Sequence, residues 1–266
     1  MTGRLEELFS GLRERGRRAL GPYFASGFPD RETSRRLIVA AIDAGADFVE
    51  IGVPFSDPIA DGPAIQYASE VALSRGMTLG GSIELARDVS SERPWTPLLL
   101  MTYYNPVLAM GLERFLAALP GAGVAGLVLP DLSLEAFESY RETFERHPRV
   151  EVVQLVALTT PLERARRIAA ASRGFVYVVG VTGVTGARDR LEGELPGFVA
   201  GLRGVTNLPL AVGFGISGAA YARQVATFAD GAVLGSALIE RIRAAGDGDP
   251  VPAIARFVRE LRDALG

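Results

Sequence analysis

Glu50 interrupts the apolar run DFVEIG (47–52), and the segment that follows, VPFSDPIADGP (53–63), carries Asp57, Asp61 and the prolines Pro54, Pro58 and Pro63. A carboxyl among apolar side chains keeps its proton to higher pH than a solvated one, because burial penalises the charged form. Near neutrality it can both give and take a proton. A second carboxylate, Asp61, follows on a loop held by prolines, which restrict where that loop can place it. Each residue also has a plainer reading. Glu50 could be a structural group held by neighbouring amides, and Asp61 could be an N-cap or turn residue before a helix starting at Pro63. Spacing alone leaves Asp61 open between these roles.

The rest of the amino-acid alphabet restricts the chemistry. The 266-residue chain has no Cys, one His and no Lys among its 28 basic residues. Thiolate nucleophiles, disulfides and Schiff-base lysines are therefore beyond its reach. His147, directly before Pro148 and near an expected helix end, reads as a solvated surface residue. Neither a histidine metal cluster nor a Ser-His triad can be assembled from it, and the sequence predicts no metal and no cofactor. Carboxylates, tyrosines, hydroxyls and backbone amides remain. A net charge of −3 gives no basic footprint for nucleic acid or an anionic membrane. No apolar run approaches membrane-spanning length, and the charged amphipathic segment MTGRLEELFSGLRERGRR (1–18) lacks a signal-peptide core, so a cytoplasmic protein is expected.

A second chemical signal lies near the other end of the chain. VGFGISG (212–218) and VLGSALIE (233–240) each run an apolar stretch into glycines and then into a helix with Ser near its start. Glycines let backbone N–H groups approach an anion, and a helix N-terminus favours negative charge, so the pair reads as a phosphate site. The glycine-rich segment GVTGVTGARDRLEG (180–193) reads as a long polar loop suited to a lid.

These residues need a scaffold that gathers them. Apolar runs at ALGPYFA (19–25), DFVEIG (47–52), TPLLLMTY (96–103), GLVLP (126–130), VEVVQLV (150–156), FVYVVG (175–180), LPLAVGFG (208–215) and GAVLGS (231–236) read as strands. Helical patterns separate them at 31–45, 63–76, 111–123, 134–147, 161–172, 194–204 and 217–228, and further helices are expected over 3–15 and 250–265. Nearly continuous apolar strands alternating with helices indicate a parallel sheet covered on both faces. Eight such units predict one α/β domain over residues 1–266, a (β/α)8 barrel with extra terminal helices. An open doubly wound sheet is the runner-up, but SGFPD follows the first strand in place of a GxGxxG turn. In a barrel, chemistry sits where strands end, and Glu50 falls at such an end, which favours the acid/base reading.

The stretch EIGVPFSDPIADGPAIQ (50–66), with MTYYNPVL (101–108), GLVLPDLSLEAF (126–137), GVTGARD (183–189), VGFGIS and GSA, resembles the tryptophan synthase alpha subunit family over nearly the whole chain. The resemblance implies a barrel lyase that cleaves indole-3-glycerol phosphate to indole and glyceraldehyde 3-phosphate. A beta subunit would take the indole onward in an alpha2beta2 assembly. It implies Glu50 as general acid/base, Asp61 as the carboxylate facing the indole N–H, and Tyr177 beside the catalytic Glu. Gly186, Phe214, Gly215, Gly235 and Ser236 match phosphate-side positions, and Tyr103 the indole pocket. Asp57, Asn105, Pro106 and Asp131 fall on the loops that face the partner. The chain departs from the family pattern at Ala25-Ser26-Gly27-Phe28-Pro29, Gly180-Val181-Thr182 and Pro130-Asp131-Leu132-Ser133. Two other readings stay open on sequence grounds: a stand-alone lyase releasing free indole, and an inactive barrel kept as a binding partner.

Overall fold

The computed structural model describes residues 3–179, 187–213 and 218–266, with side chains of 187–192 excepted. Its eight strands are β1 (Ala19–Ala25), β2 (Val49–Gly52), β3 (Leu98–Met101), β4 (Val124–Val128), β5 (Glu151–Ala157), β6 (Val176–Val179), β7 (Leu210–Gly213) and β8 (Gly231–Leu234). All neighbours run parallel and β8 closes on β1, giving the barrel order β1-β2-β3-β4-β5-β6-β7-β8. The helices of the N-terminal half are α1 (Arg4–Glu14), α2 (Arg31–Asp43), α3 (Pro63–Ser74), α4 (Leu79–Glu92), α5 (Tyr104–Met110) and α6 (Leu112–Ala118). The rest are α7 (Leu134–Ser139), α8 (Arg141–Glu145), α9 (Leu162–Ala171), α10 (Ala187–Arg203), α11 (Ala219–Ala226), α12 (Ser236–Ala244) and α13 (Val251–Leu265).

Strand alternation splits the core in two. Val49 and Ile51 of β2 face outward into the large layer between sheet and helices. Phe48, immediately before β2, faces inward with Leu99, Val128, Val153, Phe175 and Tyr177 in a separate cluster that fills the barrel. Phe9 of α1 joins this cluster from below, its ring centroid 5.2 Å from Phe175 and 6.2 Å from Phe48. Helix α1 thus stoppers the N-terminal mouth, held there by Glu151, whose two carboxylate oxygens accept the backbone N–H groups of Leu5 (2.8 Å) and Glu6 (3.1 Å).

The structure corrects several element boundaries. Helix α4 was not among the expected helices; Thr78 caps it, accepting from Gly81 N–H at 3.1 Å, and Ile83, Leu85, Ala86 and Val89 are buried along it. Strand β4 begins at Val124 rather than 126, and the helix expected over 134–147 breaks at Tyr140 into α7 and α8. Helix α10 starts at Ala187, so the end of the expected 180–193 loop is helical, while 180–186 lie outside the described residues. His147 lies half-buried at the surface, its Nε2 2.8 Å from the exposed Glu113 carboxylate of α6.

Candidate active site

Glu50 sits in mid-β2, fully buried, in register with Tyr23 of β1 and Leu99 of β3. From the opposite wall, the Tyr177 hydroxyl on β6 donates to Glu50 Oε2 at 3.1 Å. The other oxygen, Oε1, has no hydrogen-bond partner among the described residues. Burial pushes the Glu50 carboxyl up to about 8; the Tyr177 hydrogen bond pulls the other way and the Asp61 charge adds to the rise. Both flanking tyrosines hold their protons well above the usual phenol range, chiefly through burial and then through the charges of Glu50 and Asp61. Two glycines make room for these rings. A Cβ at Gly52 would fall 2.0 Å from the Tyr23 hydroxyl, and one at Gly213 would fall 2.2 Å from Tyr177 Cε2. Inward side chains at those strand ends would expel both tyrosines.

Asp61 is brought over the same mouth by the loop after β2. It is not the N-cap of α3: that position is Gly62, with no side-chain cap, and Pro63 starts the helix. The Asp61 backbone closes a turn to Pro58 (N–H to O 3.1 Å), in line with the turn reading, while its carboxyl caps no helix. Burial raises it to about 6, opposed by a hydrogen bond from the Tyr103 hydroxyl. Tyr103, itself buried, accepts the Ala60 N–H at 3.0 Å and stacks on Phe55, with centroids 5.1 Å apart. Near neutral pH this arrangement holds one carboxyl mainly protonated and the other mainly ionised at one mouth of the barrel. That division of roles is what acid/base chemistry with charge stabilisation needs.

On the other side of β1, β8 delivers Gly235 as the residue before α12, and Ser236 as its exposed first residue, in keeping with an anion site at a helix N-terminus. Gly186, Phe214 and Gly215 lie outside the described residues. Asp57, Asn105 and Asp131 are exposed and Pro106 is half-buried, all on loops of the same face. Asp131 has a structural duty as well: its two oxygens accept the Tyr104 N–H at 2.9 and 3.1 Å, tying the loop after β4 to the start of α5. The substituted Ser133 caps α7 through Ala136 N–H, and Ser26 bonds Ser82 at 2.6 Å, so the departures at 130–133 and 25–29 place hydroxyls that find partners, while the third, at 180–182, lies outside the described residues. Sequence reasoning missed Tyr23 and Phe55. The signal for Tyr23 was its place on the strand preceding Glu50; Phe55 had none beyond nearness to Asp61.

A separate cleft of about 790 Å³ on the barrel's outer surface is lined by Phe28, Tyr67, Arg75 and Arg243 among others. Of its acids, Asp30 caps α2, Glu240 pairs with Arg243 and Asp247 is exposed, so none is a buried carboxyl like Glu50.

Residues 9–264 match the family described as tryptophan synthase alpha chain. The chain is 46% identical to the tryptophan synthase alpha chain of Chloroflexus aurantiacus, covering 98% of both, and 42% identical to that of a Picosynechococcus species over 98% of both. Among solved structures, it superposes on tryptophan synthase from Mycobacterium tuberculosis with a TM-score of 0.90 at 35% identity, covering 100% of this chain and 99% of the other. The alpha subunit from Legionella pneumophila gives 0.91 at 31% identity, covering 100% and 99%. These matches run the full length of the barrel, give no support to a stand-alone or inactive reading, and show that the chain belongs to the tryptophan synthase alpha chain family.

Proposed function

We propose that Glu50 is the proton carrier of the lyase reaction of this family, the cleavage of indole-3-glycerol phosphate to indole and glyceraldehyde 3-phosphate. The supporting observation is its two unlike oxygens: Oε2 takes the Tyr177 proton, while Oε1 is unpartnered among the described residues. A carboxyl raised to about 8 is protonated at neutrality, and with Oε2 acting as acceptor the acidic proton belongs on Oε1. Glu50 gives that proton to indole C3. Asp61, ionised above about 6, stabilises the positive charge that appears at the indole N–H. The bond from C3 to the glycerol carbon then breaks, its electrons returning to the indole ring. The hydroxyl on that carbon becomes the aldehyde and its proton passes back to Glu50, which restores the starting state. Tyr103, with Phe55 stacked on it, walls the indole side, and Gly235 and Ser236 receive the phosphate with Gly186, Phe214 and Gly215.

The same face serves the partner. The family pairs with a beta subunit, and we assign Asp57, Asn105, Pro106 and Asp131 to that contact in an alpha2beta2 assembly located in the cytoplasm. The exposed apolar side chains Ile59 and Leu108 lie beside these residues. No helix among the described residues is long and apolar enough to cross a membrane.

Indole release from indole-3-glycerol phosphate by the purified chain, alone and titrated with its cognate beta chain, tests both statements. Cleavage that rises on addition of beta supports them. Absence of cleavage in the complex would remove the lyase assignment, and a flat titration with no complex in sedimentation would remove the partner.

A further inference from the structure

Tyr23 is used by nothing described so far, yet its side chain reaches from the β8 side of its strand to the β2 side. At one end its Cδ1 would lie 3.0 Å from a Cβ placed on Gly235, the residue that opens α12 on the phosphate side. At the other its hydroxyl would lie 2.0 Å from a Cβ on Gly52, one strand position pair above Glu50. The ring is therefore laid beneath the path from the phosphate end to the two carboxyls. The hydroxyl makes no hydrogen bond to either acid among the described residues: Glu50 takes its hydrogen bond from Tyr177, and the hydroxyl acting on Asp61 is that of Tyr103, which also accepts the Ala60 N–H. A buried hydroxyl carried to a reaction cavity and left without a protein carboxyl to bond is placed for a ligand.

We infer that Tyr23 is a positioning residue whose hydroxyl bonds the glycerol hydroxyl that does not react, the one on the carbon between the reacting carbon and the phosphate-bearing carbon. This rests on the lyase reading above. The three-carbon chain must span from the phosphate to the indole, and its middle carbon passes over the ring between Gly235 and Gly52. Fixing that hydroxyl sets the torsion of the chain. The reacting hydroxyl then faces Glu50 Oε1 as the bond to indole loosens, a contribution of orientation rather than of proton transfer. Tyr103 and Tyr177 cannot substitute, since Tyr177 is committed to Glu50 and Tyr103 is held by the Ala60 N–H of the loop that carries Asp61.

Tyr23→Phe removes the hydroxyl and leaves the ring and its packing on Gly235. With indole-3-glycerol phosphate, kcat/KM should fall about tenfold, the size of one lost substrate hydrogen bond, while inorganic phosphate affinity and the thermal midpoint stay at the wild-type values. The sharper readout uses substrate lacking the middle hydroxyl. Wild-type enzyme should lose about the same tenfold on it, and Tyr23→Phe should lose nothing further, because each change deletes one partner of the same bond. Additive losses would place the Tyr23 effect elsewhere and overturn the inference, as would an unchanged kcat/KM in Tyr23→Phe. If the wild-type chain fails to cleave the natural substrate, the lyase reading falls first, so the two failures are told apart.

Discussion

Two glutamates are buried inside the barrel among the described residues, one near each mouth, and they differ in what their oxygens meet. Glu151, 1% exposed at the start of β5, gives both oxygens to backbone N–H groups at the beginning of α1. Glu50, 0% exposed, receives one phenol proton and leaves Oε1 bare among the described residues. Burial raises both carboxyls, but at Glu151 the two amide hydrogen bonds act against that rise, next to a helix N-terminus that favours the anion. Burial therefore does not by itself make a catalytic acid. The number of donors aimed at the carboxyl decides whether it becomes a clamp or a proton carrier, and the barrel keeps the clamp at the end that needs stability and the carrier at the end that needs chemistry.

The strongest way to break this contrast is to exchange each glutamate for its amide. Glu50→Gln should lower kcat by about a thousandfold, within the range expected when a general acid/base is lost, with the phosphate affinity and fold retained. Steady-state indole release measures it, and a variant keeping a tenth of wild-type kcat would move the proton carrier elsewhere. Glu50 should also mark the pH dependence of stability. Its folded value of about 8 lies above the ordinary carboxyl value, so the folded chain holds a proton that the unfolded chain releases. Its stabilising contribution is complete below the ordinary value and is lost as pH rises through about 8. Denaturant melts should show wild type losing stability relative to Glu50→Gln over that interval; parallel curves would mean the carboxyl is not raised.

Asp61→Asn should come next, with kcat down about a hundredfold, since an amide cannot balance charge at the indole nitrogen. It should also reshape the pH profile. Activity in wild type requires Asp61 ionised and Glu50 protonated, so kcat/KM should fall below about 6 and again above about 8. Asp61→Asn should lose the acid limb and keep the basic one. An acid limb that survives the substitution would belong to another group.

Glu151→Gln should act on the other side of the comparison, costing about 1–3 kcal/mol of stability because an amide offers one acceptor to two N–H groups and turns a donor toward them. The kcat of the folded fraction should be unchanged. A thermal midpoint equal to wild type, or a kcat loss not explained by unfolding, would show that the clamp assignment is wrong.

Much of this was legible in the sequence, for identifiable reasons. β1 was read at its observed bounds and the barrel followed from apolar strands that alternate with helices. Glu50 stood out because a charge inside an apolar run is costly and therefore conspicuous. What escaped depended on partners remote in sequence. Helix α4 opens with Gly80, Gly81 and Ser82, which dilute its apolar periodicity, and α5 contains Asn105 and Pro106 and takes its capping group from Asp131 on another loop. Tyr23 is an ordinary strand residue until the register sets it against Glu50 and the glycines 52 and 235 open space around it. The Glu113 carboxylate beside His147 escaped too, because it comes from α6.

The smallest expected effect sharpens the contrast most directly, because it removes donors instead of carboxyls. Glu151 has two donors and Glu50 one, so Tyr177→Phe leaves Glu50 with none among the described residues. The lost hydrogen bond favoured the charged form, so its removal should raise the Glu50 carboxyl further above 8. A neutral hydrogen bond contributes about 0.5–1.5 kcal/mol, which corresponds to a rise of up to about one pH unit in the basic limb of kcat/KM. At neutral pH the carboxyl is already mainly protonated, so the rate should fall only about threefold to tenfold, from looser placement of Oε1 rather than from a changed protonation state. The pH profile of Tyr177→Phe beside wild type separates this from simple damage to the pocket, which would scale the profile down without moving its limbs. A basic limb shifted to lower pH would show that the phenol acts on Glu50 in the opposite sense, and donor count could no longer explain why two buried glutamates in one barrel do different work.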